Sequence, residues 1–165
     1  MKAVTLALLA FACVTRQTIR QALERFPVAR PETSVSVQDT IVALSLREAV
    51  LHGIPDFTPS PHVVVQAIPG LVSSRTLPEI DSVSFFLLDS VQIRELATRA
   101  GNFFYLRPSA PTIRGDTATI GLKGMLGFRR TRRGGGTREE SACAWRAVRR
   151  SGTWAVDTTL GCIIW

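Results

Sequence analysis

The chain has 165 residues, of which 45% are hydrophobic, 20% charged and 7% aromatic, a composition that suits one domain with a real apolar core. These proportions exclude an intrinsically disordered chain, a collagen-like repeat and a dense disulfide scaffold. Twenty basic and 13 acidic residues give a formal charge of +7, all of which arises late: residues 1–100 carry nine of each sign, residues 101–165 eleven basic and four acidic.

Met1 and Lys2 precede an uncharged run from Ala3 to Val14, too short to cross a bilayer as a helix. Lys2, Leu6, Ala7, Leu8 and Leu9, followed by Ala10-Phe11-Ala12, read as a compact export signal with a small-residue cleavage site. Because Cys13 comes next, Leu9-Ala10-Phe11-Ala12-Cys13 also resembles a bacterial lipoprotein signal, with Cys13 the lipidation candidate. A buried first helix competes with both readings, since apolar residues continue at Ile19, Ala22, Leu23 and Phe26 until Pro27 stops them. The expected layout is a signal over 1–12, a helix and linker over 13–35, and a single α+β domain over 36–165. A processed chain would be periplasmic, outer-membrane-anchored or secreted, and an uncleaved one cytoplasmic.

Pro27 to Thr33 reads as linker. Ser36 with Asp39 three residues on can cap a helix that Gly53 ends, with Val42, Leu46, Ala49 and Val50 on one face. Three prolines make Ile54 to Pro61 a loop. His62–Ile68, with Val63, Val64 and Val65, reads as a strand, and Ser82–Leu88 as a second. Asp89 or Ser90 then caps a helix with a stripe of Ile93, Leu96, Ala97 and Ala100, ending at Gly101.

Two short glycine turns organise the remainder. Gly115-Asp116 pairs Arg114 with Thr117, so that Pro111, Ile113, Ala118, Ile120 and Leu122 face inward while Thr112, Arg114, Thr117, Thr119 and Lys123 face out. Ser151-Gly152 pairs Arg150 with Thr153. An uninterrupted zip from that turn collects Cys143, Trp145, Ala147, Trp154, Val156, Leu160 and Cys162 on the inner face. It sets Arg146 opposite Asp157 outside. Cys143 and Cys162 then lie one diagonal step apart, roughly 7–8 Å. A disulfide between them needs an oxidising compartment and a bulge, for which Gly161 is available. The stretch Arg129–Arg138, with Gly134, Gly135 and Gly136, reads as a mobile hairpin tip between two strands.

The expected fold class is therefore α+β: N-terminal helices packed on a curved, mainly antiparallel sheet ending in a four-stranded meander. The order is helix, helix, strand, strand, helix and then four antiparallel strands. Together with the closing segments Ala144-Trp145-Arg146-Ala147-Val148 and Gly152-Thr153-Trp154-Ala155-Val156, it resembles the nuclear transport factor two-like (SnoaL-like) superfamily. The resemblance covers about Ser36 to Ile164 and implies a cone of α+β structure around a pocket. Catalytic members of that superfamily use an acidic base with a tyrosine or histidine inside the cone. No acidic residue here has a spacing that ties it to Tyr105, the single tyrosine, so their activity is not carried over.

Candidate chemistry is sparse. His52, Asp56 and His62 gather around the proline-rich loop, where imidazoles and a carboxylate could hold a metal or act as an acid–base set; Tyr105 could donate to a ligand carbonyl. Arg129, Arg130, Arg132, Arg133 and Arg138 form an anion-binding candidate suited to phosphates or lipid headgroups, although a solvated tip in an arginine-rich chain explains them without any binding role. The cysteines lack Cys-x-x-Cys spacing, and nucleophile-elbow, phosphate-loop, zinc-protease and dinucleotide patterns are absent, so neither metal nor cofactor is expected.

These readings favour a non-catalytic module of unknown specificity that binds a small apolar ligand inside the cone or a protein partner through the sheet or basic loop. The alternatives are a cofactor-free isomerase or dehydratase-type enzyme, and an adaptor to anionic polymer or membrane. Nucleic acid is not an expected partner, and membrane contact would come only through a lipid anchor or the basic loop.

Overall fold

Helix α1 runs from Val37 to His52 in the computed structural model, which describes residues 19–58, 60–130 and 134–164. Cys13, Arg132, Arg133 and the proposed signal lie outside the described residues. The Ser36 hydroxyl accepts the Asp39 N–H at 3.0 Å, and the Asp39 carboxylate accepts the Ser36 N–H at 3.1 Å. This reciprocal pair satisfies donors that a helix start leaves open. Gly53, at φ 77°, ends α1 in a conformation that costs glycine little. Helix α2, Ser90–Ala100, repeats the logic: Asp89 accepts from Val91 and Gln92 N–H at 2.8 Å, and the Gln92 side chain accepts from Asp89 N–H at 2.9 Å. No described helix is long and apolar enough to cross a membrane.

Seven strands form one mixed sheet, so the class is α+β. They are β1 His62–Gln66, β2 Ser84–Leu88, β3 Phe103–Pro108, β4 Thr112–Arg114, β5 Thr117–Arg130, β6 Gly134–Arg150 and β7 Thr153–Ile164. The order is β2-β1-β3-β5-β6-β7, with β4 also paired to β5. β1 lies parallel to both β2 and β3, and every other pairing is antiparallel. Five strands, not the four read from sequence, follow α2. Pro108 and Pro111 flank the break that separates β3 from β4, and prolines cannot donate to a ladder.

Strand pleating divides the apolar residues between two faces. On one, α1 contributes Ile41, Val42, Leu46, Ala49 and Val50 to a core with Val63, Val65, Phe85, Leu106, Ala118, Ile120, Leu122, Trp145 and Trp154. On the other, Ile93, Leu96, Ala97 and Ala100 of α2 cover Val64, Phe86, Leu88, Phe103, Tyr105 and Met125. Leu23, from the helical residues 19–23, is buried in this second layer. The Ala29 N–H donates to the Phe85 carbonyl at 2.8 Å, so part of the stretch read as linker bridges to the outer edge of β2.

Both glycine turns have the expected pairs, Arg114 with Thr117 and Arg150 with Thr153. Ala118, Ile120 and Leu122 are buried, whereas Ile113 stays exposed because three-residue β4 lies at the periphery. The β6–β7 ladder departs from the straight zip. After Ala147↔Val156 it continues Arg146↔Thr158 and Trp145↔Thr159, then Ala144↔Gly161 and Cys143↔Cys162. Asp157 and Leu160 are therefore extra residues at two bulges. Arg146 still reaches Asp157, with Nε 3.0 Å from Oδ2, but Leu160 is turned out of the inner face. Trp145 and Trp154 share one buried core.

The arginine–glycine stretch differs too. Arg129 and Arg130 end β5, and Gly134 to Arg138 begin β6, with Phe128↔Gly136 and Arg129↔Gly135 in register. A side chain at Gly135 would collide with the Arg94 carbonyl of α2, so the glycine lets helix and sheet backbones approach.

Candidate functional site

The three residues read as an acid–base set have separate surroundings. His52 sits exposed in the last turn of α1, 3.6 Å from Glu48. Asp56 occupies the turn between Ile54 and Phe57 at φ 62° and is exposed. His62 opens β1, half-buried, with its ring edge-on to Phe86 at 6.1 Å. Among the described residues no group of three or more His, Cys, Asp or Glu side chains could hold a metal ion.

Tyr105 is buried under α2 beside Phe103, with ring centroids 6.0 Å apart, on the sheet face opposite the tryptophans. Burial pushes its phenol above the ordinary value of 10.0, opposed by a hydrogen bond with Thr137 and the positive charge of Arg107. Neither of these partners is an acid. The folded chain holds this proton more tightly than the unfolded chain does. The contribution to stability is thus full below 10.0 and is lost as pH rises through the elevated folded value. With a single tyrosine, phenolate absorbance reports this directly: the native chain should titrate above the denatured chain, and coincident curves would contradict the burial.

Of the arginine candidates, Arg129 is exposed at the end of β5 and Arg138 is ion-paired with Glu140, while Arg130 pairs through its backbone with Gly134. Arg149 serves the fold instead: its guanidinium reaches Asp116 at 2.6 Å and stacks 5.8 Å from the Trp154 ring centre. Cys143 and Cys162 are joined in a disulfide with their Cα atoms 4.1 Å apart, the two bulges having brought them opposite one another.

Two hollows stand out, and neither is lined by α1, whose face of the sheet is filled by the larger core. The smaller, about 260 Å³, lies between Arg20, Leu23, Glu24, Phe26, His62 and Phe86. His62 Nδ1 is buried there without a hydrogen-bond partner among the described residues. The larger, about 390 Å³, is an open groove on the α2 side of β5, β6 and β7. Gly121, Ala142, Ala144 and Gly161 form its floor, with Ser109, Lys123, Leu160 and Ile163 around them.

That groove borders β7, a terminal strand of the sheet, whose outer edge pairs with no described strand. Leu160, Ile163 and Ile164 are 51%, 56% and 64% exposed along it. Sequence reading missed this surface because the straight zip turned Leu160 inward. The available signal was the run of small residues, Gly121, Ala142, Ala144 and Gly161, at outward positions of adjacent strands.

No family model matches the chain, and no curated protein matches it. A crystal structure described as an NTF2-like protein with a cystatin-like fold, from Novosphingobium aromaticivorans, is 17% identical, and the match covers 94% of this chain and 85% of that one. The TM-score is 0.25.

Proposed function

We propose that the chain is an exported, non-catalytic binding module that takes an extended segment of a partner protein along the outer edge of β7. The observation that carries this reading is the contrast between the two ends of the sheet. Ala29 bridges to the far side of β2, whereas no described segment covers the twelve residues of β7.

An uncovered edge presents a row of unpaired N–H and C=O groups, and folded proteins ordinarily blunt such edges with proline or unpaired charge. β7 has no proline, lysine or arginine, and its one acid, Asp157, is engaged by Arg146 and Arg150. An added strand would obtain main-chain hydrogen bonds from the edge, and alternate side chains could enter the adjacent groove. Apolar residues at every second position suit the Gly and Ala floor.

The test uses a peptide of alternating valine and threonine with lysine at both ends. Hydrogen exchange read by NMR should slow about tenfold at the outward-facing amides of β7 when it binds. The Leu160→Lys/Ile163→Lys variant should lose that protection. No change at saturating peptide, or outward amides already protected in the free chain, would overturn the proposal.

A further inference from the structure

We infer that the Cys143–Cys162 disulfide is a register lock, and that its reduction lets the end of β7 slide two residues along β6 away from the Ser151-Gly152 turn. The β6–β7 ladder runs straight from Arg150↔Thr153 to Ala147↔Val156 and then takes up two extra residues, Asp157 and Leu160. Each bulge leaves a residue unpaired and disrupts the ladder. The side-chain pattern of β7 asks for neither.

An uninterrupted ladder would set Asp157 opposite Arg146, with which it already forms an ion pair, and Leu160 opposite buried Cys143. Leu160, now 51% exposed, would join the inner face beside Trp145, and Thr159 would turn outward in exchange. The straight register therefore improves both the apolar and the polar alternation. What forbids it is the covalent bond. In the straight register Cys162 faces Ser141, and the two cysteines lie on a diagonal of roughly 7–8 Å, beyond the reach of a disulfide. In the bulged register their Cα atoms are 4.1 Å apart.

The switching step needs a thiol or dithiol reductant. Two electrons and two protons pass from the donor, the S–S bond breaks, Cys143 and Cys162 become thiols, and the donor is oxidised to its own disulfide. Residues beyond Leu160 then advance about 7 Å along β6. The edge is presented in a different register, and Leu160 is withdrawn from it. The consequence for partner binding rests on the proposed edge-strand function; the slide itself does not.

Two measurements without any partner test the slide, both in a Cys13→Ser background. After reduction, NMR should show the Cys143 α-proton against that of Leu160 instead of Cys162; persistence of the Cys143–Cys162 contact would overturn the inference. If the reduced chain unfolds, a Leu160→Cys/Cys162→Ser variant decides. Air oxidation of the folded variant should join Cys143 to position 160, read as loss of two hydrogens in the intact mass. Free thiols under conditions that fully oxidise the parent chain would overturn the inference. Failure of peptide protection on the oxidised chain would count against the binding reading alone.

Discussion

Trp145→Ala should lower the free energy of unfolding by about 3–5 kcal/mol, the range for removing a large aromatic side chain from a packed core. Trp145 is 4% exposed on β6, between Ile120 of β5 and Thr159 of β7, with its indole in the core that α1 covers. The flanking strands are fixed by their ladders, so the walls of the resulting cavity cannot collapse freely. Against a typical domain stability of about 5–15 kcal/mol, the loss is a large fraction. Urea denaturation should report a lower midpoint with little change in slope, and Trp145→Phe should retain most of the stability. A midpoint unchanged in Trp145→Ala would mean that the indole does not fill the layer between α1 and the sheet.

Gly135→Val should cost about 3 kcal/mol, the upper part of the range for overpacking. A Cβ at this position meets the Arg94 carbonyl of α2 and stands 2.9 Å from Ala97 Cβ. Both obstacles belong to the helix itself, so no flexible side chain can move aside. α2 would have to lift from Phe103, Tyr105 and Met125, admitting water to the Tyr105 phenol. Tyrosine titration in the variant should accordingly move back toward 10.0 as the denaturation midpoint falls. Gly121→Ala is the matched control. Its nearest new neighbour is Ser109 Oγ at 3.6 Å, an ordinary contact, so its stability should stay within about 0.5 kcal/mol of the parent. Equal behaviour of the two variants would show that α2 does not bear on β6 through Gly135.

The sequence made local structure legible wherever one residue type answers one backbone need. Ser36 with Asp39, Asp89 with Gln92, and the glycines at 53 and 101 mark both helix boundaries, because orphan N–H groups and positive φ have few solutions. Alternation placed Ala118, Ile120, Leu122, Trp145 and Trp154 on the buried face. It did not reveal that β1 lies parallel between β2 and β3, since parallel pairing leaves no turn to read. Nor could it locate the bulges at Asp157 and Leu160, because the side-chain pattern favours the ladder without them. The glycines at 134–136 were misread for a related reason. Low complexity suggests a free tip, but Gly135 is small because α2 lies against it.

The candidate site was less legible than the fold. His52, Asp56 and His62 are close in sequence, yet chain proximity does not make side chains converge across a loop that leads from the end of a helix into a strand. Tyr105 lies on the α2 face of β3 because its strand parity opposes that of Leu106, which belongs to the tryptophan core. That the outer edge of β7 pairs with no described strand emerges only from the sheet order, a property of all seven strands together.

On the proposed edge-strand reading, the Ala29 bridge at β2 would also limit stoichiometry. A sheet with two accepting margins can recruit chain after chain into a fibre, as cross-β assemblies do. Here the chain's own backbone bridges one margin at Phe85, whereas no described strand pairs with the other, so growth would be favoured in a single direction. A foreign strand would add once and terminate the array, and two copies meeting through β7 would close as a two-fold pair with no further growth through that contact.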